Sequence, residues 1–164
     1  LLFCHVSCGE NKIRKIIIEA TFTPRNPDFK ARVEQIFNSA SFVRDIGIEV
    51  TTIEAGLVGS ELVIQPRHNQ QDGYIHAGVQ ATIADHTAGA CAGTLCAADQ
   101  IVLSAEFKIN LLRAAQGEKL ICRATVLKAG KTLTVVESEV FAVQGDLRTL
   151  VSKATVTLAL VSRA

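Results

Sequence analysis

Residues 69–95, NQQDGYIHAGVQATIADHTAGACAGTL, decide the fold. A polar turn ending at Asp72-Gly73 leads to His76, and small apolar residues then dominate for most of the stretch. Ala81, Ala84, Ala88 and Ala92 recur at helical spacing with Val79 and Ile83 among them, which predicts a helix over 77–95. A helix apolar nearly all round is a buried helix. Only Asp85 and His86 interrupt it with groups that carry charge. A carboxylate in such a place requires a reason.

On a helical wheel Gly78, Thr82, Asp85 and Gly89 form one stripe, with Gly93 at its edge. Small side chains let another helix or a ligand approach the backbone, at a cost in helix propensity. The stripe is therefore either a packing groove in which Asp85 bonds a backbone group, or the approach to a reactive carboxylate. At the helix start, the N–H groups near Ala77 and Gly78 lack intrahelical partners and carry the positive end of the dipole, as an oxyanion site requires. His76 just before them either caps the helix or acts as a donor. Nine residues separate His76 from Asp85, or about 13 Å along a helix. A base or nucleophile must lie within about 3 Å of its target. One chain cannot bring the two features together, whereas two such helices packed antiparallel across a two-fold axis can.

Outward from the helix the chain is β-rich. Residues 46–54 (IGIEVTTIE) and 57–64, split by Ala55-Gly56, read as a hairpin. Beyond it, Ala105, Phe107, Ile109 and Leu111 alternate with Glu106, Lys108 and Asn110 as a half-buried strand. Further strands are expected over 120–127, 132–143 and 150–161, with tight turns at 128–131 and 144–146 that demand antiparallel neighbours. Before the hairpin, Phe29, Val33, Ile36 and Phe37 mark one helix face behind an Asp28 N-cap, fading around 39–41. Residues 13–22 read as a strand or short helix broken by Pro24 and Pro27. The class is α+β: a long central helix wrapped by about six antiparallel strands, with an extra N-terminal helix. Residues 28–164 form one domain, and 1–27 are an extension without a legible role.

The 164 residues carry 17 basic against 16 acidic side chains, a balance that offers no basic field for nucleic acid. No run reaches the length of a membrane span, and the first residues make a poor signal peptide. Five cysteines without a CxxC, three of them (Cys91, Cys96, Cys122) in apolar surroundings, read as small core residues of a reducing, cytoplasmic compartment. No metal site is expected.

The pattern polar-x-x-Gly-x-x-His-small-Gly at 70–78, then Ala81-Thr-Ile-Ala-Asp85, resembles the signature of hotdog-fold acyl-CoA thioesterases, in particular the PaaI-type and 4-hydroxybenzoyl-CoA thioesterase-like groups. Residues 105–113 (AEFKINLLR) and 126–132 (VLKAGKT) extend the resemblance over roughly 40–161. It implies the hotdog fold and hydrolysis of an acyl-CoA thioester, with CoA as part of the substrate and no separate cofactor. It implies homodimers that share active sites and assemble further as dimers of dimers. By the same resemblance Asp85 is the nucleophile or the general base, Gln70 contacts the thioester or positions water, and the N–H after His76, that of Ala77, polarises the carbonyl. Lys131 and Thr132, with Arg113 behind them, become candidate CoA phosphate contacts, or else an ordinary solvated turn. Ala77 stands where the family usually has glycine, which keeps the N–H but adds a methyl group. Two alternatives share this fold: an acyl-thioester hydratase or dehydratase, and a non-catalytic acyl-CoA-binding protein.

Overall fold

Period-two alternation of apolar and polar residues becomes alternation of buried with half-buried positions in β4 and β5, and this builds the sheet. The computed structural model describes residues 22–163. The readings for 13–21 and for Cys4 and Cys8 lie outside the described residues. In chain order come α1 (Phe29–Ser39), α2 (Ser41–Ile46), β1 (Ile48–Glu54), β2 (Leu57–Val63), α3 (Ala77–Gly93), β3 (Gln100–Leu111), β4 (Lys119–Ala129), β5 (Leu133–Gln144) and β6 (Leu147–Ser162). All six strands form one antiparallel sheet in the order β1-β2-β4-β5-β6-β3. The α+β hotdog architecture, a central helix against a six-stranded sheet with a helix before it, is the one expected.

Paired residues share a face, so cross-strand rows meet α3 together. One row runs Val58, Ala124, Ser138, Ala154, and another runs Val126, Val136, Val156. Opposite them α3 buries Ile83, Ala84, Thr87, Ala88 and Cys91. Small residues on both sides let the helix lie close to the sheet. Large apolar side chains at the periphery, Leu62, Leu120 and Leu158, fill the rest, each contributing about 1.5–3 kcal/mol by leaving water. Three polar side chains between helix and sheet are paired: Ser138 donates to Ala84 O (2.8 Å), and Thr87 donates to Ile83 O (2.6 Å) and meets the Ser60 hydroxyl (2.6 Å).

The helix ends where Thr94 turns its hydroxyl back onto Cys91 O (2.7 Å) and accepts the Gly56 N–H (2.9 Å) from the β1–β2 turn. Helix α1 packs Ile36 near Gly93, where an added Cβ would sit 3.4 Å from its Cδ1. Arg25 donates to Leu95 O (3.0 Å) and Arg32 to Ala97 O (2.7 Å), two cations on the carbonyls that follow α3.

Two local expectations are corrected, and a third, the Asp28 N-cap, holds in position. Residues 41–46 form α2, which Gly47 terminates in the left-handed conformation (φ 95°), so β1 starts at Ile48 rather than 46. Asp28 sits at the N-cap of α1 without a capping bond, and its own N–H donates to Asn26 Oδ1 (3.0 Å). Strand β3 is less buried than expected: of Ala105, Phe107, Ile109 and Leu111 only Ile109 packs partly against the core, and Phe107 and Leu111 are 44% and 52% exposed. The strand pairs with β6 on one side and is the edge of the sheet on the other. Alternation identifies an apolar face, but what covers that face is decided elsewhere.

Candidate active site

The start of α3 is held by a turn that closes on itself. Gln70 N–H donates to Tyr74 O (2.8 Å) and Gly73 N–H to Gln70 O (3.1 Å), with Gly73 at φ 80°. Two outside anchors fix this turn: Ile75 N–H donates to Ala115 O (2.9 Å) and His76 N–H to His68 O (2.9 Å). His68, which the sequence reading passed over, is the pin beneath the turn. Its Nδ1 accepts from Gln65 N–H (3.0 Å) and its Nε2 bonds Ile46 O (2.9 Å), so the proton sits on Nε2. Burial first, and the Arg67 charge after it, lower its pKa against the opposing Ile46 hydrogen bond, and the ring is neutral.

His76 is the cap. Its Nδ1 accepts the Gly78 N–H at 2.9 Å, which resolves the two readings of this residue in favour of capping. The expectation that Gly78 offers a free donor is thereby corrected, since its N–H is taken. A Cβ at Gly78 would lie 3.0 Å from that same Nδ1, which accounts for glycine here. The Ala77 N–H remains without an acceptor among the described residues. No non-glycine residue among them adopts a positive φ, so alanine at 77 meets no backbone strain.

Gln70, Ala77 and Arg113 come together, lining one pocket of about 410 Å³ with Tyr74 and Gln80. Gln70 Oε1 accepts the Asp72 N–H, which turns its amide N–H2 into the group left for other partners. Gln80 is 3% exposed and donates to Ile75 O (3.3 Å), while its Oε1 has no partner. Arg113 reaches this place through a bulge: β6 shifts register at Val151, whose carbonyl accepts both Leu112 and Arg113 N–H (2.8 and 3.2 Å).

Asp85 lies elsewhere. It is half-buried on the outer stripe of α3, and Ser104 of β3 donates to its Oδ1 at 2.7 Å. Ser104 was not legible in the sequence, because the two residues meet only across the helix–strand connection. The small-residue stripe divides its duties. Gly93 and Gly89 pack toward Ile36 and Leu158, whereas Gly78 is exposed beside the His76 ring and Thr82 and Asp85 are half-buried. Asp85 shares a pocket of about 340 Å³ with His86, Gly89, Val102, Ser104 and Leu158, and no residue of this pocket lines the one at the helix start. Burial lowers the His86 pKa against the Asp85 charge, which raises it.

The structure does not place Arg113 behind Lys131 and Thr132. Arg113 is tied to Val151 O, whereas Thr132 O accepts from Leu160 N–H (2.8 Å), nine residues further along β6. At about 3.3 Å per residue that is about 30 Å. Lys131 and Thr132 are exposed in the β4–β5 turn, at the end of the sheet nearer Leu158 and the Asp85 pocket.

The wrapped antiparallel sheet with its buried helix agrees with comparisons to known proteins. The thioesterase superfamily profile matches residues 72–149, the span from the polar turn into β6. A 1,4-dihydroxy-2-naphthoyl-CoA hydrolase from Listeria monocytogenes is 30% identical over 58% of this chain and 77% of that protein. A thioesterase family protein from Silicibacter pomeroyi superposes with a TM-score of 0.81 at 30% identity, covering 82% of this chain and 99% of the other. A Haemophilus influenzae thioesterase shares the fold at 21% identity, with a TM-score of 0.72 over 87% of this chain and 92% of its own. By its fold and these similarities, the chain belongs to the thioesterase superfamily.

Proposed function

We propose that this protein hydrolyses an acyl-CoA thioester to the free acid and CoA. The observation that carries the reading is Asp85: an ionisable group on a buried helix, kept half-open by small neighbours and oriented by Ser104. Asp85 either attacks the thioester carbonyl, expelling the CoA thiolate and leaving a mixed anhydride that water then cleaves to the free acid, or takes the proton from a water that attacks the carbonyl directly and expels the thiolate. Negative charge gathering on the carbonyl oxygen is met by the Ala77 N–H, at the positive end of α3. His76 holds that end in shape, and the Gln70 amide donates toward the thioester or the water.

Because the Asp85 pocket and the helix start are separate within one chain, the active site is completed by a second copy. The exposed edge and apolar side chains of β3 favour such a pairing. A two-fold axis that brings a second copy's helix start to Asp85 also carries that copy's Arg113 toward Lys131 and Thr132. The three can then contact the CoA phosphates. A further pairing of dimers into a tetramer follows the same family pattern. No helix among the described residues is long and apolar enough to cross a membrane. The CoA thioester in the name of the Listeria relative supports the substrate class. No cofactor enters this chemistry, since CoA arrives as part of the substrate.

An acyl-CoA panel with a thiol reagent tests the reading. Thiol release abolished by Asp85→Asn is expected. Release unchanged in that variant removes Asp85 from the mechanism. A change in enoyl absorbance without thiol release points instead to a hydratase, and saturable binding without either points to a sensor.

A further inference from the structure

The pocket beside Asp85 opens between α1, α3 and β3, and its ends differ in charge. One end is Asp85 with its partner Ser104. Ile36, Val102 and Leu158 make part of the wall apolar. Arg32 and Arg163 stand at the other end, and Asp85 is the only carboxylate among the described residues that line the pocket. Both arginines are fixed to the loop between α3 and β3. Arg32 Nη1 donates to Ala97 O (2.7 Å) and its Nη2 to Gln100 O, while the Arg163 backbone N–H donates to Asp99 O (2.7 Å). These carbonyls are neutral, so they hold the Arg32 guanidinium in place without cancelling its charge. Arg32 Nε and the Arg163 guanidinium have no acceptor among the described residues, and neither cation is in an ion pair there. Gln100, beside the arginines, and Ser104, beside Asp85, are separated along β3 by about 13 Å at about 3.3 Å per residue. The helices agree: Phe37 of α1 meets His86, next to Asp85, whereas Arg32 reaches Ala97, beyond the end of α3.

A reactive carboxylate, an apolar stretch and a cationic end match, in that order, a thioester carbonyl, a hydrocarbon chain and a terminal anion. We propose that Arg32 and Arg163 bind a carboxylate at the far end of the acyl group, so that the protein hydrolyses CoA thioesters of medium-length dicarboxylic acids. This rests on the thioester-hydrolase reading of Asp85. The free Nε–H of Arg32 and the fork of Arg163 present the donors that a carboxylate takes from arginine. The phosphates of CoA fit this end less well. The pantetheine arm that joins them to the thioester carries amides, and the apolar wall would leave those unpaired. Arg32 and Arg163 are specificity residues: they stand too far from Asp85 to touch the bond that breaks.

Adipoyl-CoA and hexanoyl-CoA, which differ only in ending on a carboxylate or a methyl group, isolate the effect. The wild type is expected to favour adipoyl-CoA in kcat/KM by about tenfold, the lower part of what a hydrogen bond to a charged group contributes. Arg32→Gln would also unpin the loop at 97–100, so Arg163 carries the test. Arg163→Gln brings the ratio toward one, and Arg163→Glu takes it below one. A wild-type ratio of one or less overturns the proposal. So does a ratio unchanged in both Arg163 variants, since equal loss on the two substrates would assign the guanidinium to CoA. Calorimetric binding of the non-hydrolysable thioethers S-carboxypentyl-CoA and S-hexyl-CoA separates this outcome from the hydrolase reading. Preference for the carboxylated analogue that vanishes in Arg163→Gln supports the cationic end even where no turnover occurs. Equal binding of the two analogues by the wild type overturns it whatever the turnover.

Discussion

Two disabled variants of this protein should restore one another when mixed. Asp85→Asn removes the carboxylate, and Ala77→Pro removes the one N–H at the start of α3 that has no acceptor among the described residues. The proline is compatible with the fold. Ala77 is the first residue of α3, where proline is favoured, and His76 before it already has extended backbone (φ −57°, ψ 139°). Loss of an oxyanion donor lowers kcat by about 10²–10³, and loss of the carboxylate lowers it at least as far. If each site takes Asp85 from one copy and Ala77 from the other, a mixed dimer holds one doubly damaged site and one intact site. Random reassortment makes about half the dimers mixed, and half their sites work, so activity returns to about one quarter of wild type. The assay is thiol release after the two variants are co-refolded, with differently tagged chains to quantify mixed dimers. A mixture rich in mixed dimers yet no more active than its components would refute the shared site.

Three further outcomes follow from the same geometry. Ser104→Ala leaves Asp85 without its hydroxyl partner and should lower kcat about tenfold with little change in melting temperature, as steady-state kinetics and calorimetry will measure. Thr87→Val strands the buried Ser60 hydroxyl and should cost about 1–3 kcal/mol in urea unfolding; a loss below half a kcal/mol would mean the pair is dispensable. Stability should also fall on acidification. His68 and His86 have folded pKa values below the ordinary 6.5, chiefly because burial disfavours the charged ring, so the unfolded chain binds protons first as pH drops through 6.5. The stabilisation is complete above about pH 6.5 and is lost from there down to the folded pKa values, and His86→Phe should flatten part of that slope in melting curves taken from pH 8 to 5.

The apolar period of residues 77–93 and the alternation of the later strands were legible because each is a local pattern with one burial solution. Asp85 stood out for the same reason, as a charge where the pattern allows none. Helix α2 was missed although Gly47 marks its end, since six residues are too few to show a period. His68 and Ser104 were missed because their roles depend on partners far along the chain, Ile46 in one case and Asp85 in the other.

By itself the sequence determined which helix is central, which strands pair as hairpins, and that the carboxylate and the helix start stand too far apart along the helix to serve one reaction in one chain. These follow from side-chain period and from rise per residue, which need no knowledge of neighbours. Only the tertiary structure decided that His76 closes on Gly78, that Ser104 orients Asp85, that Arg113 and Lys131 stand at opposite ends of β6, and that Phe107 and Leu111 of β3 are left exposed. Each of these is a meeting between residues that chain folding brings together, and hydrogen bonds and burial between distant segments leave no periodic trace in the residues that make them.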